Sequence, residues 1–228
     1  MRPPAQFQAY AVASANAVRD YAGRLEVLRG FEAEVVPAAT YVEDARRLRE
    51  RFDFDYIVGS VHWVDECPID VSPNLFRQAV DRAGGLTALL VRYYRLLAEM
   101  VEALRPELVG HFDLPRLFSA REPAHSQPSV RVAREDALAA VARRGALLEV
   151  NTAGYRKGLG GPYPDRDVMS HAKALGVHFT LSDDSHHVDH VGAGLEEARE
   201  CLLSEGVRTI VSLGRASDGS IERREISL

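Results

Sequence analysis

The segment Val177-His178-Phe179-Thr180-Leu181-Ser182-Asp183-Asp184-Ser185-His186-His187 decides how the chain is read. Its apolar, β-branched first half predicts a buried strand. That strand stops at two carboxylates and two imidazoles, side chains that bind divalent metals once deprotonated. Read alone, the same residues also suit a helix-capping aspartate followed by solvated loop histidines. The endings of the other strands separate the two readings.

Moving back along the chain, the run 146–150 (Ala-Leu-Leu-Glu-Val) reads as a strand entered after a glycine cap, Gly145, and left through Asn151-Thr152-Ala153-Gly154-Tyr155-Arg156-Lys157, a loop with two cations. A strand over 107–110 runs into His111-Phe112-Asp113-Leu114-Pro115-Arg116, and the run from Tyr56 to Val61 ends at His62. A short strand over 25–31 leaves Glu32 just past its end. Between these runs the spacing predicts helices over 5–24, 41–52, 86–104, 134–144, 164–175 and 192–205. The strongest stripe is Leu86, Leu89, Leu90, Tyr93, Leu97, Met100, Val101 and Leu104, stopped by Pro106. Residues 63–84 and 119–132 lack a period and are expected to be loops, and a last strand over 208–213 precedes a polar tail expected to form an edge hairpin.

Six strands separated by helices imply parallel βα units, wound into a barrel or an open doubly wound sheet. Neither a G-x-G-x-x-G nor a Walker pattern is present, which removes the usual dinucleotide and P-loop readings. Glu32, His62, His111, Asn151, Asp184 and His186 all follow the C-terminal ends of different strands or share one such end, and in a parallel barrel those ends converge on the face where active sites are built. His125, His171, His178 and His190 lack that placement and read as structural.

Composition narrows the partners. The 228 residues, 25.2 kDa, are expected to form a single domain over 1–228. With 28 Lys and Arg against 33 Asp and Glu, the net charge of −5 offers no basic field for nucleic acid or an anionic membrane. No apolar run reaches the roughly 18 residues of a membrane span. Cys67 and Cys201 form no C-x-x-C pattern, so a reducing cytoplasm is the expected location.

These residues, in this order, resemble the histidinol-phosphatase branch of the polymerase-and-histidinol-phosphatase (PHP) superfamily. The likeness is carried by Gly30-Phe31-Glu32, the run from Asp55 to His62 with its Gly-Ser-Val-His, Gly110-His111-Phe112-Asp113, the Asn-Thr-Ala-Gly-x-Arg-Lys segment 151–157, Tyr163-Pro164 and Ser182-Asp183-Asp184-Ser185-His186. It covers essentially the whole chain. It implies an α/β fold, a distorted (β/α)7 TIM-like barrel, holding up to three divalent ions of zinc, iron or manganese. It further implies that Glu32 bridges two metals, that His62 and His111 complete one site, that Asp184 serves its neighbour, and that His186 binds the third. Arg116 and Arg156 are expected to clamp the substrate phosphate beside Asn151, since a guanidinium pairs two oxygens at once, and Asp113 to orient His111. The implied reaction is hydrolysis of L-histidinol phosphate.

The pattern departs from the family at its start. Relatives carry His-x-His on a first strand and a further histidine on a second, whereas residues 1–24 hold no histidine. Met1-Arg2-Pro3-Pro4 resembles the segment that follows those strands, so the first one or two βα units are expected to be missing, leaving an open edge through which the chain could oligomerise. Besides histidinol-phosphatase, the sequence is compatible with a non-catalytic metal- or phosphate-binding module and with a phosphoesterase of the same fold acting on another substrate.

Overall fold

The computed structural model describes residues 4–228; the expected proline start at Pro3 and the segment Met1-Arg2 lie outside them. From the N-terminal side the elements are α1 (Pro4–Asp20), β1 (Gly30–Ala33), α2 (Tyr41–Phe52) and β2 (Tyr56–Gly59). A small antiparallel pair follows, β3 (Trp63–Val64) and β4 (Cys67–Pro68), then α3 (Pro73–Ala83), α4 (Leu86–Leu104) and β5 (Leu108–Val109). The second half runs α5 (Arg116–Ser119), α6 (Pro128–Arg144), β6 (Leu147–Asn151), α7 (Ala153–Arg156), α8 (Arg166–Ala174) and β7 (Phe179–Ser182). It closes with α9 (Leu195–Ser204), β8 (Thr209–Arg215) and β9 (Ile221–Ser227).

Five strands build one parallel sheet in the order β1-β2-β5-β6-β7, which is also their order in the chain. A doubly wound sheet reverses direction at a switch point. This one never does, so it is wound like the wall of a barrel, and among the described residues it stays open, with β1 and β7 at its edges. The register pairs Glu32 with Val58, Gly59 with Val109, Val109 with Leu148, and Asn151 with Ser182. All C-terminal ends therefore lie along one rim.

Helix α4 anchors the core. Leu89, Leu90, Tyr93, Leu97, Met100 and Val101 are fully enclosed, at the spacing that puts them on one face. The helix ends where Arg105 turns left-handed, with φ 56°, and Pro106 prevents its continuation. One core runs from Ala11 of α1 to Ile210 of β8.

Several expectations shift. The first strand begins at Gly30 rather than Leu25, which is left exposed, so Glu32 lies inside β1 and not past it. Residues 63–84 are not a loop. Ser72 caps α3 by accepting a hydrogen bond from the Leu75 amide at 3.3 Å, with Pro73 in the first turn, so that proline starts a helix instead of punctuating a loop. Pro128 likewise opens α6 six positions before the expected Arg134, inside the stretch expected to be irregular. The sixth strand leaves the parallel set, because β8 finds a seven-residue antiparallel partner in β9, and a short local connection costs little closure entropy. This hairpin is tied to the strand entrances. Arg215 donates to both carboxylate oxygens of Asp55, at 2.8 and 2.7 Å, and Arg224 reaches Glu26 at 2.7 Å.

The connection after β6 is packed backbone to backbone. A Cβ at Gly154 would stand 2.3 Å from the Gly161 carbonyl oxygen, which cannot swing away as a side chain could. Gly154→Ala is therefore expected to destabilise the fold by about 1–3 kcal/mol, the usual cost of overpacking, read as a lower urea midpoint at unchanged slope. A wild-type midpoint would show that segment 152–163 is not held in this packing.

Candidate metal centre

Glu32 comes from β1, His62 from the turn three residues beyond β2, and His111 from the turn two residues beyond β5. Parallel pairing sets these ends side by side, and one ligand atom from each lies within 4.8 Å of the others. Glu32 Oε1 stands 3.1 Å from His111 Nε2 and 3.7 Å from His62 Nε2, and the two imidazoles meet edge to face, with centroids 4.7 Å apart. His111 is buried, while the Glu32 side chain remains 47% exposed, so the cluster opens toward solvent on the carboxylate side. No other group of three such side chains is this close among the described residues.

The surroundings prepare the imidazoles. Glu34 Oε2 accepts from both the backbone N–H and Nδ1 of His62, each at 2.8 Å, and its other oxygen accepts from the Val35 amide at 2.7 Å. With Nδ1 engaged, His62 presents Nε2 to the cluster, as a carboxylate-oriented metal ligand does. Glu149, buried on β6, accepts from the His111 backbone N–H at 2.7 Å and from Asn151 Nδ2 at 3.0 Å. Asn151 in turn accepts from the Ala153 amide at 2.9 Å. This places Asn151 as a brace for the rim.

Charge in the cluster favours a cation. Burial works to lower His111, yet Glu32, with Glu149 and Asp184 behind it, holds that imidazole up at about 9. Desolvation pushes Glu32 upward, but His111 and His62 outweigh it and hold the carboxyl well below the usual range. A pocket that keeps a proton on an enclosed imidazole is one that draws positive charge. Two imidazole nitrogens and a carboxylate with one open side are also a donor set for a catalytic-type divalent ion, three protein ligands plus an exchangeable position. The residues present fit such an ion.

The remaining expected site residues are placed differently. Asp184, left-handed at φ 49°, lies close enough for its charge to act on His111 but outside the three-residue cluster. His186 is largely exposed, its Nδ1 2.9 Å from the Asp184 carbonyl oxygen. Arg156 donates through Nη2 to the carbonyls of Asp183, at 2.6 Å, and Asp184, at 3.1 Å, so it pins the β7 loop to α7. Arg116 is enclosed: it reaches Asp113 at 3.2 Å, the Pro162 carbonyl at 3.3 Å and Asp165 at 3.5 Å. Asp113 does not hold the His111 ring. Its Oδ2 accepts from Arg116 and from the Asp165 amide, at 2.8 Å, and His111 Nδ1 has no hydrogen-bond partner among the described residues. Burial, with Asp165 adding to it against the opposing pull of Arg116, raises Asp113 to about 6.

Three residues near the centre were not singled out as site residues from sequence: Glu34, Glu149 and Tyr163. Alternation along a strand finds the first two, since Glu34 follows Glu32 and Glu149 precedes Asn151 by the two-residue period that shares a sheet face. Tyr163, fully buried with its ring 6.4 Å from that of His111, carries no such signal.

Fold and cluster together define a metal-binding α/β protein whose ligands hang from consecutive parallel strand ends. No family model matches the chain. Among curated relatives, it is 30% identical over 218 residues to a Schizosaccharomyces pombe protein named as a probable histidinol-phosphatase, spanning 94% of this chain and 71% of that one. It is 33% identical over 201 residues to a Deinococcus radiodurans protein of the same name, spanning 87% and 73%. The chain belongs to the histidinol-phosphatase family. Two crystal structures share its fold: a candidate histidinol phosphatase from Listeria monocytogenes, with TM-score 0.76 and 24% identity over 85% of this chain and 76% of that one, and a Lactococcus lactis histidinol phosphate phosphatase complexed with zinc, L-histidinol and phosphate, with TM-score 0.65 and 14% identity over 94% and 79%.

Glu34→Gln removes the charge that both His62 donors share. It is expected to weaken zinc binding by about 10–100-fold, as loss of a ligand-orienting partner does, and His111→Ala to abolish stoichiometric binding. Chelator competition reads both. Wild-type affinity in the two variants would show that the three-residue cluster does not hold the ion.

Proposed function

We propose that this chain is a metal-dependent histidinol-phosphatase, hydrolysing L-histidinol phosphate to L-histidinol and inorganic phosphate. The carrying observation is the Glu32–His62–His111 cluster at the C-terminal rim of a sequentially wound parallel sheet, in a chain whose relatives bear that name. A bound divalent ion supplies a Lewis acid for phosphoryl oxygens and lowers the pKa of a water beside them. Zinc is the natural first choice for two imidazoles and a carboxylate.

The chain's own residues do the rest. His62 and His111 offer Nε2 atoms whose positions are fixed by Glu34 and by the Glu149 hold on the His111 backbone. Glu32 keeps its exposed side toward solvent, which leaves an approach for substrate from the rim. This reading assigns Asp184, on the loop after β7, to a neighbouring ion, with His186 Nδ1 3.5 Å from its Oδ1. Arg116 organises the loop after β5 by neutralising Asp113 and Asp165, and Arg156 keeps the Asp183–Asp184 turn against α7. The partner this site calls for is a small phosphomonoester rather than nucleic acid, consistent with the net charge of −5. Among the described residues no helix is long and apolar enough to cross a membrane. A cytoplasmic biosynthetic role fits that reading.

Zinc- or manganese-loaded protein is expected to release phosphate from L-histidinol phosphate, with release stopped by a chelator and restored by added metal. His111→Ala is expected to lower kcat/KM by more than the roughly 10–100-fold that loss of an outer partner costs. Absence of phosphate release from metal-loaded protein would overturn the proposal.

A further inference from the structure

We propose that the outer edge of β9 pairs antiparallel with the same strand of a second copy of this chain, joining two hairpins into one sheet across a two-fold axis. In an antiparallel ladder the hydrogen-bonded residues alternate. The β8–β9 register is framed by two such bonds, Leu228 N–H to the Arg208 carbonyl at 3.0 Å and Ala216 N–H to the Ser220 carbonyl at 2.8 Å, so the even-numbered residues of β9 face β8. The backbone groups of residues 221, 223, 225 and 227 therefore point away from it, and they have no hydrogen-bond partner among the described residues. The strand is seven residues long and exposed over nearly all of them. An edge of that kind is a template for another strand.

The sequence of β9 says which strand fits. Ile221-Glu222-Arg223-Arg224-Glu225-Ile226 reads the same in both directions, and a two-fold axis sets a strand against its own reversal. Outward-pointing residues must meet outward-pointing residues, so the axis falls on a residue and not between two. Placed on Arg224, it overlaps the whole of 221–227 and sets Arg223 opposite Glu225 of the second copy, twice by symmetry. Placed on Arg223 or Glu225, it sets one of those charges against itself and shortens the overlap to 221–225 or 223–227.

The side chains agree with the first register. Arg224 would meet its own copy, but Glu26 at 2.7 Å and Glu222 at 2.8 Å already neutralise it. Arg223 reaches only the Gly145 carbonyl, and Glu225 has no cation beside it among the described residues. Charges on an edge ordinarily discourage pairing; here the two unanswered ones answer each other. The hairpin is held at the strand entrances, by Glu26 before β1, Asp55 before β2 and Gly145 before β6. Pairing there leaves the rim that carries Glu32, His62 and His111 uncovered in both copies.

Sedimentation velocity of the full chain, from low to high micromolar concentration, is expected to show a monomer–dimer equilibrium. Glu225→Arg sets two guanidinium pairs against each other and is expected to raise the dimer dissociation constant by about tenfold or more. Its melting temperature as a monomer is expected to stay unchanged, since the residue is exposed. Combining Arg223→Glu with Glu225→Arg exchanges the charges and is expected to bring the dimer back. Arg224→Cys puts a thiol on the axis, in a non-hydrogen-bonded pair whose Cα atoms stand about 4.5 Å apart, within reach of a disulfide. It is expected to cross-link two chains under mild oxidation, whereas wild type and Glu222→Cys do not. A monomer at every concentration, or a dimer that is indifferent to Glu225→Arg and that Arg224→Cys fails to cross-link, overturns the proposal.

Discussion

The contact between His111 and Glu32 spans a strand. β1 and β5 are not neighbours in the sheet; β2 lies between them. Adjacent strands sit about 4.8 Å apart, so the two backbones are separated by roughly twice that, and the side chains must cross it to meet at 3.1 Å. The rest of the centre follows from that reach. His62, at the end of the intervening strand, is drawn in beneath it. Residue 110 is held to glycine, since a Cβ there would stand 2.5 Å from Ser60 Oγ. Glu149 takes the His111 amide from the other side and fixes how far the turn leans toward β1.

Concentrating carboxylates at this rim costs stability unless each is answered. Glu34 is answered by three donors, Glu149 by two, and Asp113 by Arg116 and a backbone amide, with its Oδ1 left without a hydrogen bond among the described residues. Among the described residues Glu32 meets its opposite charge in the two imidazoles. Its negative charge is the part of the rim left for something from outside, and that is what separates a ligand from its supports here.

The parts legible in the sequence were those with a period. Helix α4 and helix α2 show their apolar spacing, and α2 falls at the expected residues. The ligands could be read from strand ends alone because parallel strands bring those ends together whatever the details of packing. What stayed hidden depended on partners distant in sequence. Arg116 follows a strand on the correct side, but whether it faces substrate or Asp165 is decided by the loop after β6. β8 has the composition of a buried parallel strand, and only the presence of β9 makes it half of a hairpin. Pro73 and Pro128 are equally good as loop breakers or helix starters, and Ser72 was the one local clue.

The two imidazoles of the centre are held unequally. His62 has its tautomer chosen in advance, because Glu34 takes the Nδ1 side. His111 is enclosed and its Nδ1 has no hydrogen-bond partner among the described residues, so its ring is oriented from the cluster side alone, through Nε2 and Glu32. One ligand is therefore oriented by a support outside the cluster, and the other only by a fellow ligand. A divalent ion held here would be met by Glu32 and His62 on the more open side and by His111 on the buried side.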